Sequence, residues 1–179
     1  MEELALHILD LVQNCVEAQA SWVYIRVAED PALNTLSVSI EDNGRGMNEE
    51  QQARAIDPFY TTRTTRKVGL GIPLLKAAAE DTGGSFTITS APGRGTLIEA
   101  SFVRDHIDRV PVGNMADTLS ALLALHNNIE LRYEHVVGDR SFCLSTAVLR
   151  EICGDELSHP RIVSWLRSYI SEQENSLEV

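Results

Sequence analysis

Residues 2–19 repeat apolar side chains at helical spacing. Leu4, Ile8, Leu11, Val12 and Cys15 share one face, while Asp10, Gln13, Asn14 and Glu17 gather on the opposite one within an arc of roughly 100°. The period then shortens to alternation. Trp22–Ala28 and Thr35–Ile40 read as strands joined by the turn signal EDPALN. In the second strand Leu36, Val38 and Ile40 point one way and Thr35, Ser37 and Ser39 the other. Two further steps put Asp42 on the apolar side, inside the stretch EDNGRGM at Glu41–Met47. Taken alone, that stretch leaves two readings open. It is a plain glycine turn with Asp42 exposed by a twist of the strand, or the core side of the strand ends at something a carboxylate can bind.

A short helix follows at Asn48–Ile56, where Asn48 and Gln51 are spaced as a capping box. DPFYTTRTTRKVGLG is a polar loop, and Ile72–Asp81 a helix with Pro73 in its first turn and Gly83-Gly84 at its end. SFTITS and TLIEASF flank APGRG as a hairpin. A seam near residues 106–114 divides the chain into residues 1–104 and an appendage, 105–179. The appendage reads as a helix (Ala116–His126), a hairpin turning at Gly138-Asp139, and two helices ending near Ser171. The last carries Ile162, Trp165, Leu166, Tyr169 and Ile170 as its stripe, and the tail SEQENSLEV is expected to fray.

Composition narrows the function classes. An apolar content of 44% supports an ordinary core. No run of apolar residues approaches a membrane span, and the acidic start MEELALHILDL is unlike a secretory signal. Cys15, Cys143 and Cys153 lack CxxC spacing, which fits reduced thiols in a cytoplasmic setting. His106, His126, His135 and His159 show no metal-ligand spacing, and His7 reads as a surface or partly buried helical histidine. The net charge of −11 argues against a nucleic-acid surface or an anionic membrane patch. Residues 105–179 hold twelve acidic against six basic side chains, a net charge of −6. Against that background Arg63, Arg66 and Lys67 stand out: a solvated loop, or a local anion site beside the amides of Gly69, Leu70 and Gly71 at a helix start.

In order, then, the chain offers a helix with Asp10 and Asn14, DNGRG, FYTTR, KVGLGI opening a helix, and GRGT in a hairpin. Over residues 1–104 this resembles the GHKL, or Bergerat-fold, ATPase superfamily, and within it the ATPase domain of histidine kinases. DLVQNCVEA is similar to its N box, EDNGRGM to its first glycine box, DPFYTTR to the F box and KVGLGI to its second glycine box. The whole chain looks like small stand-alone bacterial proteins of that superfamily.

The resemblance implies an α+β sandwich, with helices on one face of a mixed, mainly antiparallel sheet, that binds ATP or ADP with Mg²⁺. It implies Asp42 as acceptor for the adenine amine, with Gly44 and Gly46 admitting the ligand close to the backbone. Thr96 resembles a residue touching adenine, and is otherwise a strand-start threonine. The lid would run through Thr61, Thr62, Arg63, Lys67, Gly69, Leu70 and Gly71, with the two threonines either hydroxyl donors or turn residues. Asn14 resembles the Mg²⁺ ligand, and Asp10, one turn earlier, stands where hydrolytic members carry a general base, one methylene shorter than their Glu. Glu17 takes a supporting place.

Three functions follow as expectations. The first is ATP hydrolysis or phosphorylation of a separate partner protein in a regulatory role. The second is a non-catalytic ATP-sensing module. The third, a nucleic-acid machine, suffers from the charge. The oligomeric state, a homodimer included, is left open.

Overall fold

The computed structural model describes residues 3–59 and 70–177. Each predicted element is present. Helix α1 is Leu4–Glu17, followed by strands β1 (Trp22–Asp30) and β2 (Thr35–Asp42), helices α2 (Glu49–Ala55) and α3 (Gly71–Asp81), and the hairpin β3 (Ser85–Ser90) and β4 (Thr96–Val103). Helix α4 (Met115–Leu125), β5 (Glu130–Val137), β6 (Arg140–Ser145), α5 (Thr146–Cys153) and α6 (Pro160–Leu177) complete the described chain.

The six strands form one sheet in the order β3-β4-β2-β1-β5-β6. Every neighbouring pair is antiparallel except β1 with β5, which is parallel. Residues 105–179 therefore add two strands to the sheet begun by residues 1–104. Alternation decides which face is covered. Val23, Ile25 and Val27 of β1 lie in register with Ile40 and Val38 of β2 and with Leu131, Tyr133 and His135 of β5, and all are buried against the helices. The other face is polar: Arg26 of β1 bonds Glu134 of β5 at 3.1 Å, and the Arg132 guanidinium lies 5.2 Å above the Tyr24 ring.

Local chemistry explains the boundaries. Asn48 caps α2 through its side chain, and Gln51 returns the bond to the Asn48 amide, so both halves of the capping box are present. Helix α1 lacks a side-chain cap; the amides of Leu4 and Ala5 donate instead to Pro111 O (2.9 Å) and Val112 O (2.8 Å). The seam is thus also the cap of the first helix.

Two expectations are corrected. Helix α6 runs past Ser171 to Leu177, because Leu166, Ile170, Glu174 and Leu177 recur at helical spacing; Leu177 is buried, and Glu174 bonds Tyr133 and His135. His7 is buried at 2% exposure, since its three-residue step from Leu4 and four-residue step to Leu11 carry it into the apolar stripe.

Candidate functional site

Strand β2 ends in a buried acid. Asp42 closes the alternation Leu36, Val38, Ile40 and is 6% exposed. Its Oδ1 accepts the Gly44 amide at 2.7 Å, and the Cys15 thiol of α1 lies beside it. Burial, and then the charge of Asp42 and a hydrogen bond to it, raise the thiol far above its usual range, so Cys15 stays protonated, with Leu11 O also within reach of the sulfur at 3.2 Å. A carboxylate can accept about four hydrogen bonds, so Asp42 keeps acceptor capacity in reserve.

The turn after Asp42 is built from close backbone approaches. A Cβ at Gly44 would sit 2.8 Å from Asp42 Oδ1 and 2.9 Å from Ala18 O, where the Arg45 amide also donates at 2.9 Å. This bond ties the turn to the residue after α1. Gly46 has φ +68°, and a Cβ there would meet Ala91 O at 1.9 Å. On the hairpin side Thr96 pairs with Asp42 in register, and its Oγ1 lies 3.0 Å from Ser90 Oγ. Ser90 accepts from the Met47 amide (2.8 Å) and donates to Gly95 O (2.7 Å). Ser90, Gly95 and Cys15 are contacts the sequence reading left out. Only Gly95, in GRGT, had a signal, since a glycine beside a strand start marks close approach.

The second half of the site lies along α1 and α3. Asp10 and Asn14 are half-buried, one turn apart. Gly71 opens α3 against Asp10 so closely that a Cβ would fall 2.0 Å from Asp10 Oδ2. Burial raises the Asp10 carboxyl above its ordinary range, with the Gly71 backbone opposing and Glu17 adding to the rise. His7, on the same seam, is driven down to about 4, chiefly by burial. Gln13 faces elsewhere: its Oε1 lies 3.1 Å from His126 Nε2 at the end of α4.

Helices α1 and α3, the β2 terminus and the hairpin thus bring Asp10, Asn14, Asp42, Gly44, Gly46, Gly71 and Thr96 onto elements that pack together; Leu70 precedes α3 and is exposed. Thr61, Thr62, Arg63, Arg66, Lys67 and Gly69 lie outside the described residues. Among the described residues no group of three or more His, Cys, Asp and Glu side chains is placed to hold a metal, and no helix is long and apolar enough to cross a membrane.

Comparison with known proteins gives a family match over residues 2–106, to the family described as histidine kinase-, DNA gyrase B-, and HSP90-like ATPase. Among curated proteins the chain is similar to the sensor histidine kinase ZraS of Klebsiella oxytoca, 33% identical over 91 residues that make up 50% of this chain and 20% of that protein. It is also similar to the heme sensor protein HssS of Staphylococcus saprophyticus, 30% identical over 52% of this chain and 20% of that protein. The chain therefore spans about a fifth of the length of these relatives. Among solved structures, the N-terminal domain of a DNA repair protein superposes on 81% of this chain and 53% of its own, with a TM-score of 0.56 and 15% identity, a likeness of fold.

Proposed function

The chain belongs to the histidine kinase-, DNA gyrase B-, and HSP90-like ATPase family, and from that premise we propose that it binds Mg²⁺-ATP between α1, α3 and the turn after β2, and uses it in a regulatory role on a separate protein. The observation that carries this reading is Asp42: a buried carboxylate that accepts the Gly44 amide and the Cys15 thiol and has acceptor capacity to spare, in a turn where glycines leave the backbone bare. An exocyclic amine of adenine would use that capacity, whereas guanine offers an oxygen at the same place. Thr96 would stand beside the base, and the Gly71 end of α3 would face the phosphates with Leu70, Gly69, Lys67, Arg63, Thr62 and Thr61 of the preceding loop.

The donor set suits magnesium as the family holds it. Asn14 would supply one neutral oxygen and, among the described residues, no cluster of three or more His, Cys, Asp and Glu side chains competes, so phosphates and waters would complete the shell. The ion would screen phosphate charge. Asp10, one turn away and with its proton affinity raised by burial, would take the proton from a water or a protein hydroxyl.

A second reading has its own support. The Gly71 backbone already engages Asp10, and an acid held there is poorly free to act as a base. On that reading ATP is sensed without turnover.

Calorimetry with ATP and Mg²⁺ tests binding. Asp42→Asn should weaken it roughly ten- to hundredfold, the equivalent of about 1.5–3 kcal/mol for one charged hydrogen bond, with the melting temperature kept. Equal affinity in the variant would remove Asp42 from the reading. Phosphate release by Asp10→Asn separates the alternatives: lost turnover with retained binding supports the enzyme, and a wild type that binds without turnover, alone or with partner extract, supports the sensor.

A further inference from the structure

The opposite end of the sheet holds a cavity of about 590 Å³. Val23 of β1 pairs with Asp42, and Glu29, at the other end of the same strand, lines the cavity. The two places are six residues apart along β1, or about 20 Å. Glu29 and His135 line one side. The segment 111–116 leading into α4 and the last turns of α6 line the others, with Arg104 and Arg109 also on the wall.

The acids here are already engaged. Glu29 Oε2 accepts from Arg104 Nε at 2.8 Å. Glu174 accepts from Tyr133 Oη at 3.0 Å and lies 2.8 Å from His135 Nδ1. The unspent capacity belongs to donors. His135 is 5% exposed at its side chain, yet its Nε2 makes no hydrogen bond; the nearest carboxylate oxygen is Glu29 Oε1 at 3.6 Å. Burial favours the neutral ring, but the hydrogen bond to Glu174 and the nearby Glu29 carboxylate outweigh it and lift His135 to about 9, so both ring nitrogens carry protons at neutral pH. Among the described residues Arg104 commits only its Nε, and Arg109 gives its Nε and one terminal nitrogen to the carbonyls of Arg104 and Val110. Helix α4, of 11 residues, begins at the same wall and adds the positive end of its dipole. Three cations and a helix start meet two acids at this wall, a local excess of one positive charge in a chain whose net charge is −11.

We propose that this cavity is a second ligand site, taking a small molecule that presents a carboxylate or phosphate to His135, Arg104 and Arg109. A volume of this order suits a metabolite rather than a bare ion. The wall that would meet it also caps α1 through Pro111 O and Val112 O, and its Asn114 amide donates to Oε2 of Glu3, the residue before that helix, at 3.2 Å. An occupant would therefore rest against the segment that starts the helix of Asp10 and Asn14.

The test titrates the full chain, free of nucleotide, with inorganic phosphate, malonate and citrate in separate calorimetric arms, against sodium chloride at matched ionic strength. The expected result is saturable binding in at least one arm and none with chloride, and the arm that binds identifies the source of the oxyanion. Arg104→Gln and His135→Gln should each weaken that binding at least tenfold. Because His135→Gln can cost the fold, Ser171→Trp, at an exposed position of α6 on the cavity wall, fills the space with every charge retained and should abolish binding while the protein still melts cooperatively. No saturable heat in any arm, or heat unchanged in Arg104→Gln and Ser171→Trp (an adventitious ion only), overturns the proposal. Neither result bears on Asp42, so this site and the nucleotide reading fail separately.

Discussion

Two seams of this molecule each bury a histidine, and they hold it in opposite states. His7, between α1 and α3, is 2% exposed, has no hydrogen bond at Nδ1, and is pushed down to about 4. His135, between β5 and α6, is 4% exposed and is raised to about 9 by Glu174 and Glu29, although burial alone would lower it. Burial is nearly equal, so the neighbours decide. A buried ring without acids discharges, and one between two acids keeps its proton as part of their neutralisation.

The sharpest way to break this contrast is to remove the buried cation. His135→Ala leaves Glu29 and Glu174 facing each other and should cost about 3–5 kcal/mol in urea unfolding at pH 7. Replacing His7 by Leu should stay within about 1 kcal/mol, because nothing charged is orphaned. Equal costs would refute the contrast.

Alkaline pH comes next. The folded pKa of His135 lies above the unfolded value of about 6.5, so its contribution is fully present below that value and is lost as pH rises through about 9. The loss is on the order of 3 kcal/mol and should vanish in His135→Gln. Tyr133 does not confuse this window, since burial and then Glu174 hold its phenol well above its usual range.

Acid acts on the other seam with the opposite sign. The folded pKa of His7 is depressed, so its contribution is present above about 6.5 and is lost as pH falls through about 4. Carboxylates titrate there too, so the quantity to measure is wild type minus His7→Leu, about 2–3 kcal/mol by pH 4. The smallest effect is expected from Gly71→Ala. Its Cβ would meet only the movable end of Asp10, so global stability should change by less than about 1 kcal/mol. A turnover assay should still fall as Asp10 is displaced.

The placement of these groups was legible further than the strand limits drawn from the sequence. Alternation put Asp42 on the covered face of β2, where the structure has it. The same rule, carried one residue past Ala28, places Glu29 after Val23, Ile25 and Val27, and in β5 it places His135 after Leu131 and Tyr133. Polar residues that fall on the apolar side of an alternation thus mark both ends of the sheet. What local pattern could not supply was their partner. Glu29 and His135 meet because β1 and β5, about a hundred residues apart, lie parallel and in register, and Glu174 reaches them only because α6 continues past Ser171.

Local pattern alone set the elements, the covered face of β2, the capping box of α2 and the glycines that the turn after β2 requires, because periodicity, caps and backbone freedom are properties of neighbouring residues. Packing between distant segments settled that one buried histidine is neutral and the other charged, that residues 111–112 cap α1, and that Gly71 rests on Asp10. Those outcomes depend on which distant groups share a low-dielectric space, and that is set when the sheet order brings β5 to β1 and the helices close over it.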